Sequence, residues 1–188
     1  MMQDIAMYML DIANNALNAQ AKNIKICLEI DEREDRLSLS IEDDGVGMDE
    51  ETQRKVVDPF FTTRKTRSIG LGIAFFKALA DQCEGIFTLR SKPNEGTTIK
   101  VVIRNSHIDR PPLGDIAETI ITLIQADTLV DYQFKYQFED SVFIFNTIDV
   151  KKILDDIKIN EPGVLVWLKN YLNEGIDHIK EDKNEVIS

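Results

Sequence analysis

The sequence predicts an α+β fold, and three observations predict it. Residues 4–19 carry one apolar helical stripe, Ile5, Tyr8, Ile12, Ala13 and Ala16. Residues 24–30 and 37–43 then alternate apolar and polar around a charged turn, as the two strands of a hairpin do. A second pair of such runs, 86–91 and 98–104, flanks Pro93-Asn94-Glu95-Gly96.

The remaining elements follow from the same patterns. The first hairpin has Ile24, Ile26, Leu28 and Ile30 on one side, answered by Leu37, Leu39 and Ile41. Met48 to Val57 predicts a short helix with acidic residues in its first turn. Residues 58–69 are polar and irregular. Leu71 to Cys83 is apolar enough for a buried helix, which Gly85 can close. Pro111-Pro112 breaks the pattern, so residues 1–104 are expected as one domain, 105–114 as a linker and 115–188 as a small α+β domain. That last part reads as helix (115–126), strand (131–138), strand (142–147) and helices (149–157, 161–175), with a frayed charged tail after Ile179. Tyr132, Phe134, Tyr136 and Phe138 alternate with polar residues, which places the aromatics on one sheet face, as a core under helices or, in the other reading, as a partner-binding face.

Composition narrows the function classes. At 188 residues, 43% apolar and 29% charged, the chain reads as globular. No apolar run approaches the ~20 residues of a membrane span, and the N-terminus lacks the features of a signal peptide. A cytoplasmic location is therefore expected, without a membrane partner. The net charge of −11 is concentrated late: residues 105–188 hold 8 basic and 16 acidic residues, against 14 and 17 in residues 1–104. With no basic stripe, no nucleic-acid partner is expected. Cys27 and Cys83 lack the spacing of a metal or redox site and read as buried free thiols.

Several short motifs suit nucleotide chemistry. Asp11 and Asn15 lie one helical turn apart, so both project from one face. An Asn oxygen is a hard ligand for Mg²⁺, and a neighbouring carboxylate can orient an attacking water. Exposed polar residues on a surface helix would also explain the pair. Asp43 ends a strand before Gly45 and Gly47. Its carboxylate can accept from an adenine amino group while the glycines let the backbone pass close to the ring; a tight acidic turn is the other reading. Gly70-Leu71-Gly72 opens an apolar helix and exposes backbone N–H groups to a phosphate. Phe60 precedes the hydroxyls and cations of Thr62, Thr63 and Arg64, which suit a lid over a triphosphate or a solvated loop. Neither a Walker loop nor a dinucleotide fingerprint is present.

In this order, the motifs resemble the boxes of the GHKL ATPases, the superfamily of DNA gyrase, the Bergerat-type heat-shock chaperone, histidine kinases and MutL. The N box is Asp11-Ile-Ala-Asn-Asn15-Ala, the adenine box Asp43-Asp-Gly45-Val-Gly47-Met48, the lid region Asp58-Pro-Phe60-Phe-Thr-Thr63-Arg64 to Gly70-Leu-Gly72, and the last box Gly96-Thr-Thr98. The resemblance covers residues 4–104. It implies a two-layer sandwich of a mixed, mainly antiparallel sheet and a helical layer. It further implies that ATP lies between the helices, Asn15 holds Mg²⁺, and Asp43 meets the adenine. Gly45, Gly47 and Met48 would line the base pocket, Gly70, Leu71 and Gly72 would meet the phosphates, and Thr98 would support the base through Asp43.

The lid resembles histidine kinases, whereas Ala16-Leu-Asn18-Ala-Gln-Ala21 resembles the MutL N box. Asp11 stands where hydrolysing members usually carry Glu and is one methylene shorter, which implies slow hydrolysis. The ATP domain begins at the first residues, and neither His107 nor His178 sits in an acceptor-like box. The resemblance therefore implies a histidine-kinase-like domain that phosphorylates a separate protein. The alternative is an ATP-dependent switch acting through a partner or a homodimer, in which Lys135 or a neighbour imitates a transducer lysine.

Overall fold

The computed structural model describes residues 2–58 and 71–185, with side chains through residue 180. Helix α1 (Ile5–Asn18) opens it, capped by Asp4, whose carboxylate accepts from Met7 N at 2.8 Å. Strands β1 (Asn23–Asp31) and β2 (Arg36–Asp43) form the first hairpin, and α2 (Glu50–Val56) follows its own Asp49 cap. Then come α3 (Gly72–Gln82), β3 (Ile86–Lys92) and β4 (Gly96–Arg104). The C-terminal part contributes α4 (Ile116–Ala126), β5 (Asp131–Phe138), β6 (Ser141–Asn146), α5 (Thr147–Leu154) and α6 (Pro162–Glu185).

One six-stranded sheet runs in the order β3-β4-β2-β1-β5-β6. Every neighbouring pair is antiparallel except β1 with β5. The expected mixed, mainly antiparallel sheet is therefore present. Residues 115–185 do not build a sheet of their own. Strand β5 aligns with β1 from Asn23↔Asp131 to Ile30↔Phe138, so the C-terminal part lengthens the first sheet. The expected linker is docked as well: Pro112 and Leu113 carbonyls accept from Ile5 N and Ala6 N at 2.9 Å, satisfying the open first turn of α1.

Strand alternation sets the two faces. Ile26, Leu28, Leu39, Ile41, Ile99, Val101 and Phe134 point into the core, against Tyr8 and Ile12 of α1, Phe76 of α3, Ile120 of α4 and Leu168 and Leu172 of α6. Tyr132, Phe134 and Tyr136 form the expected aromatic floor, and Tyr132 Oη donates to the Leu123 carbonyl in α4 at 2.9 Å. The opposite face is polar. There Lys135 pairs with Glu29 at 3.0 Å, so this lysine lies on the wrong side of the sheet for the transducer role expected of it. Cys27 shares that face and is half-buried, while Cys83 is buried in the core.

Two boundaries differ from expectation for local reasons. Glu84, not Gly85, takes the left-handed conformation after α3, at φ 51°. Gly85 is needed because a Cβ there would lie 2.3 Å from the Val102 carbonyl oxygen of β4. Helix α6 does not fray at Ile179 but continues to Glu185. Leu165, Leu168, Leu172, Ile176 and Ile179 keep helical spacing on its buried side, which carries the helix well beyond 175.

Candidate functional site

A cleft of about 150 Å³ opens between α1, the loop after β2, α3 and β4. Helix α1 lines it with Ile12, Asn15, Ala16 and Ala19, a helical i, i+3, i+4, i+7 row. Ile73 from α3, Ile99 from β4 and Met48 add apolar walls, and Asp43 and Thr97 supply polar groups. A mostly apolar slot with a few converging polar atoms suits a planar base.

The loop after β2 is held from several sides. Val46 N donates to the Ala19 carbonyl at 2.9 Å, and Asn94 N to the Val46 carbonyl at 2.8 Å. Gly47 has φ +64°, and a Cβ on it would lie 2.0 Å from the Lys92 carbonyl oxygen. A Cβ on Gly45 would sit 2.7 Å from the Ala19 carbonyl oxygen. Both glycines of the motif are thus required by close backbone approach, before any ligand is considered.

The adjacent carboxylates behave oppositely. Asp43 Oδ1 accepts from Gly45 N at 2.8 Å. Burial pushes its pKa above the usual carboxylate range despite that bond, and the Asp44 charge adds to the rise. Asp44 accepts from Lys22 N, Asn23 N and Asn23 Nδ2 at 2.7, 2.9 and 2.7 Å. Burial works against its charge, but these bonds outweigh it and lower its pKa. Asp44 therefore anchors the loop to β1, while Asp43 faces the cleft with acceptor capacity left over.

At the other end, α3 begins with Gly72 against α1. A Cβ at Gly72 would lie 1.7 Å from Asp11 Oδ2 and 3.4 Å from Asn15 Nδ2. The N-cap of α3 is Leu71, which makes no side-chain cap bond, whereas α1, α2, α4 and α5 are capped by Asp4, Asp49, Asp115 and Asn146. Among the described residues, no side chain accepts from the first N–H groups of α3, and such groups at a helix start suit an anion. Burial raises the pKa of Asp11.

The structure brings Asp11, Asn15, Asp43, Gly45, Gly47, Met48, Leu71 and Gly72 to the cleft or its rim. The expected lid residues Phe60, Thr62, Thr63, Arg64 and Gly70 lie outside the described residues. Thr98 does not reach the cleft. Asp43 pairs with Thr97 across β2 and β4, and alternation puts Thr97 with Ile99 on the helix side and Thr98 on the other. Thr97, not Thr98, lies beside Asp43 in the cleft, and its backbone N–H helps to hold that carboxylate.

The sequence reading missed Ser91 and Gln53. Ser91 Oγ accepts from Met48 N at 2.8 Å and donates to the Gly96 carbonyl at 2.9 Å, beside Thr97 Oγ1 at 2.9 Å. Gln53 Nε2 donates to the Met48 and Ser91 carbonyls at 3.1 and 2.9 Å. Together they pin the base loop to the β3–β4 hairpin. Ser91→Ala is expected to leave Met48 N unsatisfied, costing about 1–2 kcal/mol of stability. It should also weaken nucleotide affinity roughly tenfold, read by fluorescent-nucleotide titration.

An apolar slot bounded by a carboxylate, with a helix start packed on Asp11 and Asn15 beside it, suits a nucleotide-binding domain. The chain belongs to the family described as histidine kinase-, DNA gyrase B- and HSP90-like ATPase, whose model matches residues 3–107. It is 34% identical over 96 residues to the signal transduction histidine-protein kinase AtoS of Escherichia coli, covering 50% of this chain and 16% of that protein. It is 37% identical over 109 residues to the sensor protein kinase FleS of Pseudomonas aeruginosa, covering 58% of this chain and 26% of that protein. The chain thus spans about a quarter or less of the length of these relatives. Among solved structures, the Aquifex aeolicus MutL ATPase domain complexed with ADP aligns at TM-score 0.49 and 13% identity, covering 82% of this chain and 70% of that one.

Proposed function

We propose that this ATP-binding domain takes Mg²⁺–ATP and directs its γ-phosphate to a separate protein, with slow release to water when no acceptor is present. One observation carries the reading: Asp11 and Asn15 are pressed against Gly72 at the start of α3, beside a cleft that Asn15 and Asp43 both line. The base would lie between Ile12, Met48, Ile73 and Ile99, with its amino group on Asp43.

Asn15 fits Mg²⁺ chemically. Its amide oxygen is a hard neutral ligand for a cation whose other positions belong to phosphates and waters, and Asp11 one turn away could orient such a water. Bound there, Mg²⁺ would neutralise developing charge on the phosphates. The chain's own groups do the rest. The α3 N–H groups orient the phosphates, and Asp11, its pKa raised by burial, is placed to take a proton from an attacking hydroxyl or water. His107 accepts from Asp109 N at 3.1 Å in the 105–114 segment, and His178 sits on α6; neither lines the cleft, which supports an acceptor outside these residues.

The test follows the γ-phosphate. With γ-labelled Mg²⁺–ATP, wild type should release phosphate slowly, and Asp11→Asn should abolish release while retaining nucleotide. Release that persists unchanged in Asp11→Asn would remove Asp11 from the mechanism.

A second reading, an ATP-dependent switch, is favoured by the sheet itself. Strand β1 joins β2, which ends at Asp43, to β5 of the C-terminal part, so the base pocket and that part share one rigid layer. An oligomeric state that differs with and without Mg²⁺–ATP would support it; an identical one would count against it.

A further inference from the structure

The two edges of the sheet are finished differently. Strand β3 carries Arg90 and Lys92, and the Gln53 side chain bonds its Ser91 carbonyl. Charges and a covering side chain are how proteins keep an edge from pairing. Strand β6, at the other edge, reads Ser-Val-Phe-Ile-Phe-Asn: no charge, no proline, and unbroken register with β5 from Phe138↔Ser141 to Gln133↔Asn146. Among the described residues nothing pairs with its outer side.

Apolar groups flank this edge on both faces. Val142 and Ile144 are 45% and 56% exposed on the polar face of the sheet. On the helix side, Tyr171 of α6 packs on Phe143 with ring centroids 5.6 Å apart, and Trp167 stacks on Tyr171 at 5.6 Å. Trp167 and Tyr171 are nonetheless 50% and 41% exposed. A large apolar side chain on each face of an uncharged edge is what a continued sheet would bury.

We propose that β6 pairs antiparallel with β6 of a second copy of this chain, joining two sheets into one. The inference goes beyond the nucleotide reading and does not depend on it. The two-residue turn Glu139-Asp140 makes Phe138↔Ser141 a hydrogen-bonded pair, so the backbone groups of Val142 and Ile144 point outward. Pairing that keeps both helical layers on one side then sets Val142 opposite Ile144 of the copy, with Phe143 at the two-fold axis. No like charges meet across such a pair, because residues 141–146 hold none.

The four exposed side chains offer roughly 450 Å² per copy, and with the strand backbone the pair exceeds the ~1,000 Å² total that a specific interface needs. The net charge of −11 on each copy opposes association at long range, so added salt should tighten it.

Sedimentation equilibrium on the full chain tests this. The weight-average mass should rise towards twice the monomer with concentration, and more readily at about 0.5 M than at about 0.05 M salt. Ile144→Lys and, separately, Val142→Lys should each weaken self-association at least tenfold while keeping the nucleotide affinity of wild type and, at concentrations where wild type is monomeric, its thermal midpoint. Both positions are exposed, and neither touches the cleft. A monomer at every concentration and salt, which would leave the edge to a different strand, overturns the proposal. So does a dimer that both lysine variants leave undiminished. Loss of nucleotide binding in wild type would overturn the proposed function and leave this inference standing.

Discussion

Asp43→Asn is expected to lower ADP and ATP affinity by about 100-fold, or about 2.7 kcal/mol, while raising stability at neutral pH. The binding loss follows from the acceptor. Asp43 is the carboxylate that faces the base slot, and an amide there offers one acceptor oxygen and a donor that repels an adenine amino group. The stability gain follows from burial, which raises the Asp43 pKa. A carboxyl whose folded pKa lies above its unfolded value contributes stability that is full below the unfolded pKa and is lost as pH rises through the folded one. At neutral pH wild type therefore bears the cost of a buried charge. Asn lacks that cost and keeps the oxygen that accepts from Gly45 N. The gap in thermal midpoint between variant and wild type should be widest near pH 7 and close towards about pH 4, as wild-type Asp43 protonates. Thermal melts across that range check the sign; a gap that widens on acidification would contradict it.

Gly47→Ala is expected to be, with Gly96→Ala, among the most damaging single methyls at the described glycines. The residue is left-handed at φ +64°, and the new Cβ would meet backbone: Lys92 O at 2.0 Å and Gly96 O at 3.0 Å. Neither atom can turn away as a side chain could. The base loop and the β3–β4 turn must separate, breaking the Asn94 N to Val46 O bond. Strain and the lost contact together should cost about 3 kcal/mol, roughly 6–12 °C in midpoint for a chain of this size. Nucleotide affinity should fall with it. Gly163→Ala is the internal control, since nothing lies within 4 Å of a Cβ there. In α6 that change should be neutral or stabilise by up to about 1 kcal/mol. Urea denaturation of both variants separates the outcomes, and equal effects would mean that the loop geometry is not what Gly47 secures.

Local elements were legible because their causes are local. The helical stripes read at 4–19, 48–57 and 115–126 fold as helices, and the alternating runs at 24–30, 37–43 and 131–138 fold as strands. The motifs at Asp11, Asn15, Asp43, Gly47 and Gly72 mark the cleft and its rim because close approach fixes the glycines and the helix and strand periods fix the polar residues.

What was not legible depends on which strand meets which. Alternation identifies β5 but not its neighbour, so its parallel pairing with β1 could not be read from residues 131–138. Pro111-Pro112 does break the pattern, yet the segment caps α1 and is not a free linker. Two successive threonines made Thr97 and Thr98 equivalent as letters; only the register Asp43↔Thr97 distinguishes them. Ser91 and Gln53 carry no motif of their own, and their place emerges only when β3 and α2 bring them to Met48. In the sequence, one signal pointed to Ser91: its position just before the turn that leads to Gly96-Thr97.

The central claim is that this cleft binds adenine nucleotide with Mg²⁺ at Asn15. Calorimetric titration of ATP into the purified chain, with Mg²⁺ and then with chelator, tests it most directly. One site per chain is predicted, with affinity that drops on chelation, drops equally in Asn15→Ala with Mg²⁺ present, and is nearly lost in Asp43→Asn. Binding of equal strength in Asp43→Asn would contradict the placement of the base. Binding indifferent to both Mg²⁺ and Asn15→Ala would contradict the placement of the metal.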